Sequence, residues 1–209
     1  VSTLLIHQLY AAFAPWLILS FLLLGRNPHL SQTRIIVSPL LALGLLLIPI
    51  AGWNGFAWSR DIEMNPSFTL TALLSIGLCK RIGGLSLLRS CDWKTACTFG
   101  SIAAIVLYPL GLGLTPFDSY PWGWEPLLPV ITALIASALL LQGNRFGIIL
   151  LLPLGGFFLH LQESHNFWDA LVDPIYTGFA LIAMIFMTTR AGIARFTSRQ
   201  TPQSALPQS

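Results

Sequence analysis

Residues 4–25 include no Asp, Glu, Lys or Arg, and six further stretches of the chain repeat the pattern, at 35–52, 66–79, 95–114, 126–141, 147–161 and 174–189. Inside hydrocarbon a backbone must satisfy its own polar groups, so runs of this kind fold as helices. About 20 residues are needed to cross ~30 Å of hydrocarbon. The runs therefore predict an all-α fold, a polytopic membrane bundle of about seven transmembrane helices making a single domain over 1–189. A tail at 190–209 is expected to be basic at first and then disordered. The third run makes only about 21 Å of helix; it is expected to borrow a turn from its loop or to sit in thin bilayer. Only 9% of the residues are charged, against about a quarter in a soluble domain. The mean hydropathy of +0.73 agrees.

Charge orients the bundle. Successive loops alternate sides, which groups 26–34, 80–94, 142–146 and the tail. These segments hold ten of the eleven Lys and Arg: Arg26, Arg34, Lys80, Arg81, Arg89, Lys94, Arg145, Arg190, Arg195 and Arg199. The opposite loops hold Arg60 and seven of the eight acids. Under the positive-inside rule the basic side is cytoplasmic, with the N-terminus outside and the C-terminus inside. The N-terminal run has no basic segment before it and is long enough to stay as a span, so no cleavable signal is expected. The cation excess follows the membrane, which removes nucleic acid as a partner. The bilayer itself, anionic lipid at the cytoplasmic face and a membrane-protein partner are the partners expected instead. Cys79, Cys91 and Cys97 form no CxxC pair and fit a reduced, cytoplasm-facing position.

Most tryptophans sit on the other side. Trp53, Trp58, Trp122, Trp124 and Trp168 fall in the outer loops, where indoles favour the headgroup level. They form an aromatic belt or, in a sharper reading, a platform for a sugar or lipid headgroup. Three outer runs open on a polar residue followed by proline, at Asn65-Pro66, Glu125-Pro126 and Asp173-Pro174. Asn and Asp are favoured helix caps and proline suits the first helical position, so these read as helix starts.

The densest polar stretch is 160–174, with two of the four histidines, three of the eight acids and no cation. Once Asp173 is assigned to a helix start, the candidate catalytic residues are His160, Glu163, His165 and Asp169. If helix continues past His160, Glu163 shares its face, and His165, Asp169 and Asp173 form a stripe at i, i+4, i+8. Arg60, Asp118, Trp122, Trp124 and Trp168 are the candidate substrate contacts, Arg60 because a guanidinium suits phosphate or carboxylate. Imidazoles and carboxylates are competent ligands for zinc or manganese. The spacing matches no established metal motif, so neither a metal nor a cofactor is expected.

Missing features narrow the function further. The chain has no nucleotide-binding glycine loop, no lysine in the last run for a Schiff base, and no ionisable residue near the middle of a run. Ion-coupled transport usually requires such a residue. The expected function is a non-enzymatic component of a cell-envelope pathway. An outer-face enzyme acting on a lipid-linked or envelope glycan is the alternative, and a transporter or lipid flippase stands behind both.

Overall fold

A computed structural model describes residues 3–25, 31–62 and 66–200. Helix α1 (Thr3–Leu24) is followed by α2 (Gln32–Leu47), whose cap Ser31 accepts from the Arg34 amide. The second apolar run does not stay helical to residue 52. It leaves α2 as a two-residue hairpin, β1 (Pro49–Ile50) against β2 (Trp53–Asn54). Ala51 and Gly52 at the turn both have positive φ, 53° and 85°, the geometry that lets a two-residue turn follow the strand twist. The loop expected after it carries helix α3 (Gly55–Ile62).

The short third run becomes α4 (Phe68–Gly83). It lengthens toward the basic loop, taking in Lys80 and Arg81 before Gly84 closes it at φ +68°. Cations are favourable in a last helical turn, so the first lysine does not end the helix. Helix α5 (Ser90–Gly111) likewise starts five residues earlier than the apolar run, where the Asp92 carboxylate accepts from the Arg89 amide at 2.8 Å. A 3-10 turn (Tyr120–Trp124), α6 (Leu127–Leu141), α7 (Phe146–Phe158), short α8 (Phe167–Leu171) and α9 (Pro174–Gln200) complete the chain. The tail expected from 190 is thus helical as far as Gln200, and 201–209 lie outside the described residues.

The fold is all-α but for the hairpin, and α1, α5 and α9 contain stretches long and apolar enough to cross a membrane. Helices α2, α6 and α7 are apolar but shorter. Helix α4 sits in the middle, packed on α1 and α7, while α2 lies outside α1, α6 outside α7, and α5 pairs with α9. Gly156 of α7 permits a close approach of α4: a Cβ there would meet the Phe68 ring at 2.3 Å. The core holds Phe68, Phe146, Leu150, Phe167, Trp168 and Tyr176, and much of the remaining surface is apolar, including Ile36, Leu40, Ile105, Leu134 and Ile185.

Hydrogen bonds show which loops share an end of the bundle. At one end Arg81 donates to Phe21 O, Arg89 to Gly143 O and Arg145 to Leu87 O. At the other, Asp173 meets Ser67, Trp168 meets Ser119, and Tyr120 meets Asp169. One end is basic and the other acidic.

Candidate functional site

The acidic end is closed by two segments, 117–125 and 159–173, laid across the helix ends. Helix α7 stops at Phe158 and does not carry His160 on a helical face. His160 N–H bonds to Phe157 O and Leu161 N–H to Gly156 O, and His160 has φ +52°. This is a Schellman C-cap with histidine where glycine is usual. The HxxE face expected of a continuing helix therefore does not form.

His160 is exposed, and its ring lies 6.0 Å from that of His165, nearly edge-on. His7 Nε2 donates to the His160 carbonyl at 2.9 Å. His165 and Glu163 are also exposed. Asp169 has a different setting, half-buried, with Ser164 Oγ donating to it at 2.6 Å and the Tyr120 hydroxyl at 3.3 Å. It lines a cleft of about 390 Å³ together with Tyr108, Tyr120 and Asp173, and neither histidine nor Glu163 reaches that cleft. Burial, and then the neighbouring Asp169 carboxylate, raise the Tyr120 pKa above its ordinary value. A neutral phenol beside a carboxylate is a hydrogen-bonding pair suited to a polar or cationic group. The stripe through His165, Asp169 and Asp173 is broken because α8 ends at Leu171 and Val172 is extended.

Asp173 starts α9, as its sequence context predicts, and does more. Its Oδ1 accepts from the Tyr176 amide at 2.7 Å. Its Oδ2 accepts from the Ser67 amide at 2.9 Å and the Ser67 hydroxyl at 2.5 Å. Ser67 is in turn the cap of α4, accepting from the Leu70 amide at 3.1 Å. One buried carboxylate thus joins the starts of two helices. Burial raises its pKa above the carboxyl range, against the pull of these hydrogen bonds. The other two expected starts differ: Asn65 lies outside the described residues, and Glu125 ends the 3-10 turn while Pro126 precedes α6 without a side-chain cap bond.

The candidate substrate contacts divide. Trp168 is only 5% exposed and donates through Nε1 to Ser119 O at 3.0 Å, so it belongs to the core and not to an interfacial belt. Trp122 is half-buried against Phe117, ring centroids 5.4 Å apart, whereas Trp124 is 59% exposed and stands edge-on to Tyr120 at 5.1 Å. Asp118 is exposed and forms an Asx-turn with the Tyr120 amide at 2.9 Å. Arg60 is on α3, its side chain beyond the described atoms.

Residues that the sequence did not single out hold the cap together. Buried Asn166 accepts from the Trp168 amide and donates to Tyr120 O at 3.1 Å. It fits because Gly123 has no side chain: a Cβ there would lie 1.6 Å from Asn166 Oδ1. Buried Gln162 donates to Pro66 O at 2.7 Å. The Asn166-x-x-Asp169 spacing is a capping-type signal that could have marked α8. Among the described residues no three His, Cys, Asp or Glu side chains converge as a metal-binding set.

Fold and composition together define the class, an all-α membrane protein. No family model, curated protein or solved structure matches the chain.

Proposed function

We propose that the chain is a seven-span protein of a bacterial-type inner membrane and a non-enzymatic component of a cell-envelope pathway. The acidic, Trp-rich end faces outward and the basic end faces the cytoplasm. The positive-inside pattern supports this orientation. Helices α2, α4, α6 and α7 serve as the shorter spans, at a modest mismatch cost.

One observation carries the reading. At the acidic end most buried polar side chains bond to backbone or to one another as a structural lid: Asp173 to Ser67, Asn166 to Tyr120, Gln162 to Pro66 and Trp168 to Ser119. A membrane-end lid needs this, because an unsatisfied buried polar group costs about 1–3 kcal/mol. A partner would then be met by the apolar flanks. The competing reading, an outer-face enzyme on a lipid-linked or envelope glycan, rests on His160 and His165, which stay exposed and adjacent while His160 holds a strained backbone.

His160→Gly separates the two. Glycine relieves the left-handed conformation, which costs a β-carbon residue about 1–2 kcal/mol, so the variant should be more stable than wild type. In a strain whose only copy carries His160→Gly, His165→Ala or Glu163→Ala, resistance to envelope stress should match wild type. A more stable His160→Gly protein with the phenotype of the deletion would transfer the conclusion to the enzyme.

A further inference from the structure

Helices α1 and α9 stand apart on either side of α4, leaving a lateral apolar groove of about 300 Å³. Leu73 and Leu74 of α4 form its floor, Ile18 and Phe21 one wall, and Phe179 and Ala183 the other. Trp93 lies at the end nearer the basic loops. The lining is apolar but for Trp93 at that end and, further in, Cys97 and Tyr176, whose hydroxyl is already donated to Ala96 O, and the loops beyond Trp93 carry the cations.

Helical register puts Lys80 and Arg81 there. Lys80 lies seven residues beyond Leu73 and Arg81 seven beyond Leu74, two turns further along the same face of α4. The rise to them is about 10 Å. Lys94 follows Trp93 directly on α5, and both lysines are exposed. Arg81 fixes the wall as well: it donates to Phe21 O at 2.6 Å, and its guanidinium carbon lies 3.4 Å from the Phe21 ring centroid. The groove is therefore held open by a built contact, apolar along its length and positive at its mouth.

We infer that this groove holds an acyl chain of an anionic phospholipid, with Lys80 and Lys94 meeting its phosphate. A zwitterionic lipid would fill the same volume but gain less from the cations, each worth about fivefold in affinity near a membrane surface. The inference does not depend on whether the acidic end is catalytic, and its test reads lipid retention and not phenotype.

The test uses the full chain, purified and delipidated in mild detergent, with dioleoyl phosphatidylglycerol or dioleoyl phosphatidylcholine added back. Native mass spectrometry should show preferential retention of the phosphatidylglycerol. Lys80→Gln with Lys94→Gln should lower that retention by about twenty-five-fold, the product of two fivefold effects, and leave phosphatidylcholine unchanged. Ala183→Trp should abolish retention of both, with helicity checked by circular dichroism. Since that variant can fail to fold, a photoreactive benzoylphenylalanine at Phe179, already an exposed aromatic, supplies a milder readout. Its adduct should carry the lipid's mass. Equal retention of the two lipids by wild type, full retention by a folded Ala183→Trp, or an adduct with a second copy or another protein would overturn the inference.

Discussion

Removing the Asp173 carboxylate tests the lid most directly. Asp173 is 2% exposed and accepts from the Ser67 amide, the Ser67 hydroxyl and the Tyr176 amide. Asp173→Ala deletes the cap of α9, about 1 kcal/mol, and leaves buried donors without an acceptor at ~1–3 kcal/mol each. Because the Ser67 hydroxyl can turn elsewhere, a loss of about 3–5 kcal/mol is expected. Ser67→Ala should lose about 1–2 kcal/mol, because the α4 cap goes with it. The two are one network, so the double variant should fall short of the summed losses by about 1–2 kcal/mol. Reversible unfolding by SDS in mixed micelles reads all four species. A loss below about 1 kcal/mol for Asp173→Ala, or strict additivity with Ser67→Ala, would show that the carboxylate does not join the helices. The pH dependence follows from the raised pKa of Asp173. Between the ordinary and the raised value the folded chain holds a proton that the unfolded chain has released. This contribution is full below the ordinary carboxyl value of about 3.9 and is lost as pH rises through the raised value. Asp173→Asn should lack that part of the pH slope.

Two neighbouring glycines give a sharp contrast. A Cβ on Gly156 would strike the Phe68 ring, while one on Gly155 meets nothing within 4 Å. Gly156→Ala should therefore destabilise by about 1–3 kcal/mol, and Gly155→Ala should be neutral or stabilising by up to ~1 kcal/mol, read by the same unfolding assay. At the basic end, buried Asp92 accepts from the Arg89 amide at 2.8 Å and the Arg145 amide at 3.1 Å, besides its ion pair with the Arg89 side chain. Asp92→Ala should lower the melting temperature about twice as much as Arg89→Ala or more, because only the former orphans both amides; equal shifts would assign the stabilisation to the ion pair. A cytoplasm-active reporter fused after Arg199 should function and one inserted at Asp118 should not. The reverse result would invert the orientation.

The long helices were legible because contact with hydrocarbon is a property of composition, and a charge-free run of 22 residues has few other ways to fold. Their ends were less legible, for the same reason. Reading a helix as ending at its first charge misses that Lys80 and Arg81 suit the last turn of α4, and that Arg89 and Asp92 form a cap before the apolar part of α5 begins. Asp92 is the eighth acid, alone among the basic loops. Its burial against the α6–α7 turn is a tertiary fact with no local signal beyond the Arg-x-x-Asp spacing. The Trp168 indole shows the limit from the other side. An outer-loop tryptophan reads as interfacial, yet this one is enclosed because the loop bearing it folds back over the bundle and hands its N–H to Ser119.

That fold-back explains why the polar stretch 160–174 is ambiguous on paper. Helix α7 makes about 20 Å of rise over 13 residues, so the chain must return to α9 across the bundle end as irregular backbone. Irregular backbone buried beside a membrane needs polar partners, and the cheapest source is its own side chains. A catalytic cluster and a self-satisfied lid thus draw on the same residue types in the same density. What separates them is which polar groups the lid leaves over. Gln162, Asn166 and Asp173 are buried and bonded, and Asp169 is largely engaged by Ser164 and Tyr120. His160, Glu163 and His165 are left facing outward. Of these, His160 occupies a left-handed position that glycine would take with less strain. Lid formation does not require histidine there, so the outward-facing groups His160, Glu163 and His165 are where any chemistry of this stretch has to start, and His160 is the one whose backbone the lid does not explain.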